Sequence, residues 1–129
     1  MNDYEAIRHL LANYCFGTDT GDTQRWADSF TDDIVWEGGA FGRFEGKQAG
    51  IAYHSGSGDA SKSMRHINTN HQIEIDGDTA KVDSYAQVFD QSGPSPTIVF
   101  SGFYRDTLVK QGGRWLISAR TLHWDSSSL

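Results

Sequence analysis

Ile73-Glu74-Ile75-Asp76-Gly77-Asp78-Thr79-Ala80-Lys81-Val82 decides the fold of this chain. Two stretches of alternating side chains, Arg65 to Ile75 and Thr79 to Phe89, flank an Asp-Gly turn, whose glycine readily takes the positive backbone angle a tight hairpin needs. The same design recurs downstream, where Thr97 to Lys110 and Arg114 to Trp124 flank Gln111-Gly112-Gly113. Gln91 to Pro96 joins the two hairpins, and Asp125 to Leu129 is a polar tail. The C-terminal half is therefore a long antiparallel meander.

The N-terminal part has a different period. Ile7, Leu10, Leu11 and Tyr14 recur at three and four, which predicts an amphipathic helix capped by Asn2 or Asp3 and stopped at Gly17. Asp22 starts a second short helix that buries Trp26 and Phe30. Thr31-Asp32-Asp33 turns the chain into a strand, Ile34 to Glu37, and Gly38-Gly39 returns it through Ala40 to Phe44. Lys47 to His54 is a third helix weakened by Gly50, and Ser55 to Asp59 is a loop by composition. Helices first and a meander afterwards is the α+β pattern. Strands of this length bend, so the sheet should curl around the helices and enclose a cone-like cavity.

Composition narrows the function classes. A chain of 129 residues with neither repeats nor a linker is one domain, 1–129. Its net charge of −6, without any lysine or arginine run, argues against nucleic acid as a partner. No apolar stretch reaches the roughly 20 residues of a membrane helix. Met1-Asn2-Asp3-Tyr4-Glu5 does not read as a signal peptide, and the single cysteine excludes an internal disulfide, so a cytoplasmic location is expected. Cys15 reads as a small buried side chain.

Three residues carry the chemistry that can be read here: a phenol at Tyr14, a carboxylate at Asp19 and an imidazole at His66. Together they could remove a proton beside a polarised carbonyl without a cofactor. Each also has a plain reading. Tyr14 extends the helical apolar stripe, and Asp19 fits a turn, although Asp22 already fills the capping role. His66 shares a strand face with Asn68 and Asn70, and that face could line the cavity or meet solvent. His71 falls on the opposite face by simple alternation, so the two histidines should not chelate a metal together. His9 and His54 have no supporting company in sequence and read as non-functional. We take Trp36, Tyr53, Asn70, Phe103 and His123 as substrate-binding candidates; Phe41, Phe44, Phe89 and Tyr104 join the core or pocket wall. His123 is open between cavity and subunit interface.

With these residues in place, the chain resembles the SnoaL-like family of the cone-shaped, nuclear-transport-factor-2-like superfamily, over about residues 3 to 124. The resemblance rests on Tyr14-x4-Asp19, Gly21-Asp22, Phe30-Thr31-Asp32-Asp33, Phe44-Glu45-Gly46 and Arg65-His66, followed by Asp76 to Ala80, Tyr104-Arg105-Asp106 and Gly112 to Trp115. It implies a curved, mostly antiparallel sheet wrapped around N-terminal helices. Its near members, scytalone dehydratase, bile-acid 7-alpha dehydratase and hexachlorocyclohexane dehydrochlorinase, use an Asp–His pair for cofactor-free elimination, which maps onto Asp19 and His66. The bile-acid enzyme adds a tyrosine that maps onto Tyr14. Steroid delta-isomerase is similar at Tyr14, but its proton-carrying aspartate falls where this chain has Gly38.

The resemblance implies a dehydratase-type lyase or an isomerase acting on a small apolar or ring-containing molecule. No metal or organic cofactor would be required. The alternative is a non-catalytic ligand-binding or assembly module of the same fold, and the short chain disfavours an oxygenase small subunit. Apolar residues on both faces of the strand holding Ile98, Val99, Phe100 and Phe103 predict a homodimer built through the sheet.

Overall fold

The computed structural model describes residues 1–56 and 63–128, so residues 57–59 of the expected loop lie outside the described residues. Helix α1 (Asp3–Asp19) begins at Asn2, whose side chain accepts the Glu5 N–H at 2.9 Å. Gly17 does not stop it. The helix runs two residues further and ends on Asp19. Gly17 has a different role: a β-carbon there would lie 2.6 Å from the Trp26 backbone nitrogen, so glycine lets α2 (Thr23–Ala27) pack directly onto α1. Asp22 caps α2 by accepting the Arg25 N–H at 3.0 Å.

Strand β1 (Phe30–Glu37) starts earlier than expected, and Thr31-Asp32-Asp33 lies inside it at a register shift rather than forming a separate turn. A single 3-10 turn, Gly39–Phe41, leads into the short β2 (Arg43–Glu45), which pairs antiparallel with β1. Helix α3 (Lys47–Ser55) follows. The meander is β3 (Met64–Asp76), β4 (Thr79–Asp90), β5 (Thr97–Gln111) and β6 (Arg114–Ser127).

All six strands form one curved, open sheet in the order β2-β1-β6-β5-β4-β3. Every pairing is antiparallel except β1 with β6, where Val35 sits opposite Ala119. The helices cover the inner face. Ile7 and Leu11 of α1 are fully buried, as are Val82, Leu108 and Ile117 on β4, β5 and β6. Each such side chain contributes about 1.5–3 kcal/mol by leaving water. No helix among the described residues is long and apolar enough to cross a membrane.

Of the register shifts along the sheet, those in β3 and β6 bear on the site. In β3, Thr69 pairs with Tyr85 and Gln72 with Asp83, so Asn70 and His71 together oppose Ser84. Asn70 takes a φ of 58°, the left-handed region asparagine tolerates better than most residues. One extra residue reverses the alternation beyond it. His71 therefore returns to the half-buried face with His66 and Asn68, which corrects its expected placement opposite His66. In β6, a second bulge lies where the partners of Thr107 and Leu108 are Ala119 and Ile117.

Candidate active site

Helical spacing supplies the first wall of the cavity. Tyr14 and Thr18 lie four residues apart on one face of α1, and both line a cavity of about 290 Å³. Trp26 and His54 continue this wall from α2 and α3, while Trp36 and Tyr53 extend it. The sheet contributes Met64, His66, Val88, Phe100, Tyr104 and Leu122. The surface is predominantly aromatic and aliphatic, interrupted by a few hydroxyls and imidazoles.

Asp19, the last residue of α1, is buried directly behind His66. Its Oδ1 lies 2.6 Å from His66 Nδ1, and its Oδ2 accepts the His66 backbone N–H at 3.0 Å. A carboxylate facing Nδ1 favours a proton on that nitrogen, which leaves Nε2 as the lone-pair nitrogen for a ligand. His66 lines the cavity, whereas Asp19 is held back from it.

Tyr14 is almost fully buried, and its hydroxyl accepts a hydrogen bond from Trp36 Nε1 at 3.1 Å. Beneath its ring lies Arg120, with no exposed surface and its guanidinium carbon 4.3 Å from the Tyr14 centroid and 3.7 Å from that of Tyr104. Asp106 holds this cation through two hydrogen bonds of 2.7 and 2.8 Å. The paired carboxylate raises the Arg120 pKa against the opposing effect of burial. Burial, reinforced by nearby Tyr14, pushes the Tyr104 phenol well above its ordinary range. Cys15 is buried, and desolvation raises its thiol to about 11, which does not favour a thiolate.

Several sequence expectations need correction in position. Asn70 is exposed at the β3 bulge and borders a separate pocket with His71 and Phe103, outside the aromatic cavity. Phe103 and His123 stack on one another across β5 and β6, with centroids 4.6 Å apart and planes at 10°; neither lines the cavity. Trp36 and Tyr53 do line it. His54, read as non-functional, is also in the lining, bonded to Thr23 Oγ1 at 2.8 Å and Thr18 Oγ1 at 3.2 Å and stacked on Trp26. Burial lowers its pKa, with a further contribution from nearby His66.

Arg120 had no local signal, because its partners come from other elements. The bulge also removes the face argument against metal binding by His66 and His71. Among the described residues, however, no group of three His, Cys, Asp or Glu side chains is placed to hold a metal ion.

The SnoaL-like domain model matches residues 1–121. The chain is 31% identical to a Mycobacterium tuberculosis protein of unknown function, solved as an aspartate-to-asparagine variant; the match has a TM-score of 0.86 and covers 98% of this chain and 73% of the other. A nuclear-transport-factor-2-like protein with a cystatin-like fold from Novosphingobium aromaticivorans is similar at TM-score 0.85 and 22% identity, over 98% of this chain and 84% of that one. A second protein from that organism, described as a candidate scytalone dehydratase, is similar at TM-score 0.81 and 21% identity, over 98% and 86%. The two Novosphingobium structures establish likeness of fold alone. No curated protein sequence matches the chain.

Proposed function

This chain belongs to the SnoaL-like domain family, and from that premise we propose that it is a cofactor-independent lyase or isomerase acting on a small, largely apolar molecule. The observation that carries this reading is the double attachment of Asp19 to His66 beside an aromatic cavity that also contains Tyr14. His66 Nε2 removes a proton from the carbon next to a carbonyl. The electron pair moves toward the carbonyl oxygen, where the Tyr14 hydroxyl donates a hydrogen bond to the developing charge. Asp19 stabilises the imidazolium.

In a dehydration, the enolate re-forms its carbonyl as the hydroxyl on the next carbon leaves. His66 returns its proton to that hydroxyl, giving water and an alkene. In an isomerisation, the proton goes back to a different carbon. General-base catalysis of this kind contributes about 10²–10⁴-fold in rate.

The test is turnover of cyclic β-hydroxy ketones and halogenated alicyclic compounds by wild type and His66→Ala, with melting temperature measured alongside. The proposal requires turnover to disappear while the melting temperature holds. A variant that retains full activity overturns the base assignment. A wild type that binds these compounds without converting them supports the non-catalytic ligand-binding module instead.

We extend the proposal to a homodimer through the outer sheet face. Tyr85 on β4 is 59% exposed and pairs in register with Phe103, which in turn pairs with His123; Ile67, on β3, is 41% exposed. An apolar surface of this kind favours burial by a second copy. Light scattering at micromolar concentration checks it, and a monomer would remove this part of the proposal.

A further inference from the structure

The hydrogen bond between Trp36 and Tyr14 has an unambiguous direction. An indole nitrogen can only donate, so the Tyr14 oxygen must accept from Trp36 Nε1 at 3.1 Å. A phenol hydroxyl keeps its proton close to the ring plane because the oxygen is conjugated with the ring, which leaves two in-plane directions for donating and accepting. An indole donor on this oxygen disfavours the direction that would turn the phenol proton toward Trp36. Arg120 approaches Tyr14 over the ring face and therefore competes for neither. The remaining direction is left for the single phenol proton.

Trp36 itself is tightly held. Its ring stacks on Phe44 with centroids 5.3 Å apart and planes at 7°. A β-carbon at Gly38 would fall inside the indole, so the backbone packs directly against the ring. The indole N–H thus has little freedom to leave the Tyr14 oxygen, and both rings line the cavity.

We propose that Trp36 is a positioning residue: its N–H fixes the Tyr14 proton and makes the cavity selective for a neutral ring compound presenting a bare acceptor oxygen. This rests on the reading of Tyr14 as the donor to a ligand oxygen and adds the residue that sets its direction. A ligand bearing an acceptor meets a proton already in place. A neutral ligand is favoured because the Arg120 cation is completely buried and already paired with Asp106.

The experiment compares two probes of nearly identical shape, 2-tetralone and tetralin, by calorimetric titration of wild type, Tyr14→Phe, Trp36→Phe and the double variant. Tetralin affinity reports changes in cavity shape, so the ketone-to-hydrocarbon affinity ratio isolates the hydrogen bond. The wild-type ratio should be about tenfold, the scale of one such bond. It should fall below parity in Tyr14→Phe, where the buried ketone oxygen loses its donor, and drop at least about threefold in Trp36→Phe. In the double variant, loss of the indole should cause no further change.

A wild-type ratio maintained in Trp36→Phe overturns the positioning role and leaves Tyr14 as the donor. An effect of Trp36→Phe on the ratio in the Tyr14→Phe background overturns action through Tyr14. Absence of ketone preference in wild type, its survival in Tyr14→Phe, or failure of both probes to bind overturns the Tyr14 reading and this inference with it.

Discussion

Asp19 holds His66 at two points, with one carboxylate oxygen on the ring nitrogen and the other on the backbone N–H of the same residue. The interaction therefore fixes both the strand position and the imidazole orientation. An amide cannot reproduce it. Asparagine offers one acceptor and one NH₂ group, whereas both contacts on His66 are donors in the Nδ1-protonated form.

Asp19→Asn should consequently favour the opposite His66 tautomer and take the lone pair away from Nε2. Turnover should fall by on the order of 10³–10⁴-fold, the scale seen when a carboxylate that sets a histidine tautomer becomes an amide. Nitrogen-15 NMR of the imidazole provides the direct measurement. An unchanged tautomer together with unchanged turnover would refute the assigned role.

The buried Arg120–Asp106 pair gives a stability prediction. Asp106→Ala should destabilise by about 3–5 kcal/mol, because it leaves a guanidinium without its counter-charge in the core. Replacing both partners with apolar residues should recover much of that loss. Urea denaturation distinguishes the two variants, and equal destabilisation of both would contradict the account.

Acidification should weaken the fold through His54 and His71. Burial is the main cause of both lowered pKa values; nearby His66 adds to it at His54, and Arg8 and Arg120 add to it at His71, opposed by Asp106. The unfolded chain then takes up protons first as pH falls, so their stabilising contribution is full above about 6.5 and declines below it. The urea midpoint should be lower at about pH 5.5 than at about 7.5. A midpoint that rises over this interval would refute the linkage.

Gly17→Ala should destabilise by about 1–3 kcal/mol through overpacking. The added methyl would strike the Trp26 backbone and separate α1 from α2. Thermal melting tests this, and an unchanged or raised melting temperature would show that the junction can relax.

The elements that could be read from sequence are those whose causes are local. Asp76-Gly77-Asp78 and Gln111-Gly112-Gly113 identify hairpins through their turn chemistry, and Asp22 identifies a helix start. Gly17 resembles a helix stop in sequence because the reason for it, Trp26, lies across an interhelical contact. His71 changed face because of a bulge that no adjacent residue announces. His54 gains its hydroxyl partners from two other helices. Asp106 faces Arg120 because of the β6 bulge; continuing the register of Gln111 with Arg114 would bring Ala119 there instead.

The parallel pairing of β1 with β6 also sets an order on assembly. Ile34 and Trp36 belong to an early strand, and Val35 pairs early with Glu45, but its partner on the other side, Ala119, lies near the far end of the chain. During N-to-C synthesis, the early hairpin must wait for the last strand before the sheet is joined. This long-range closure slows folding and leaves apolar β1 side chains exposed to other nascent chains. Stalled translation before β6 would therefore favour aggregation, with β1 as the adhesive segment.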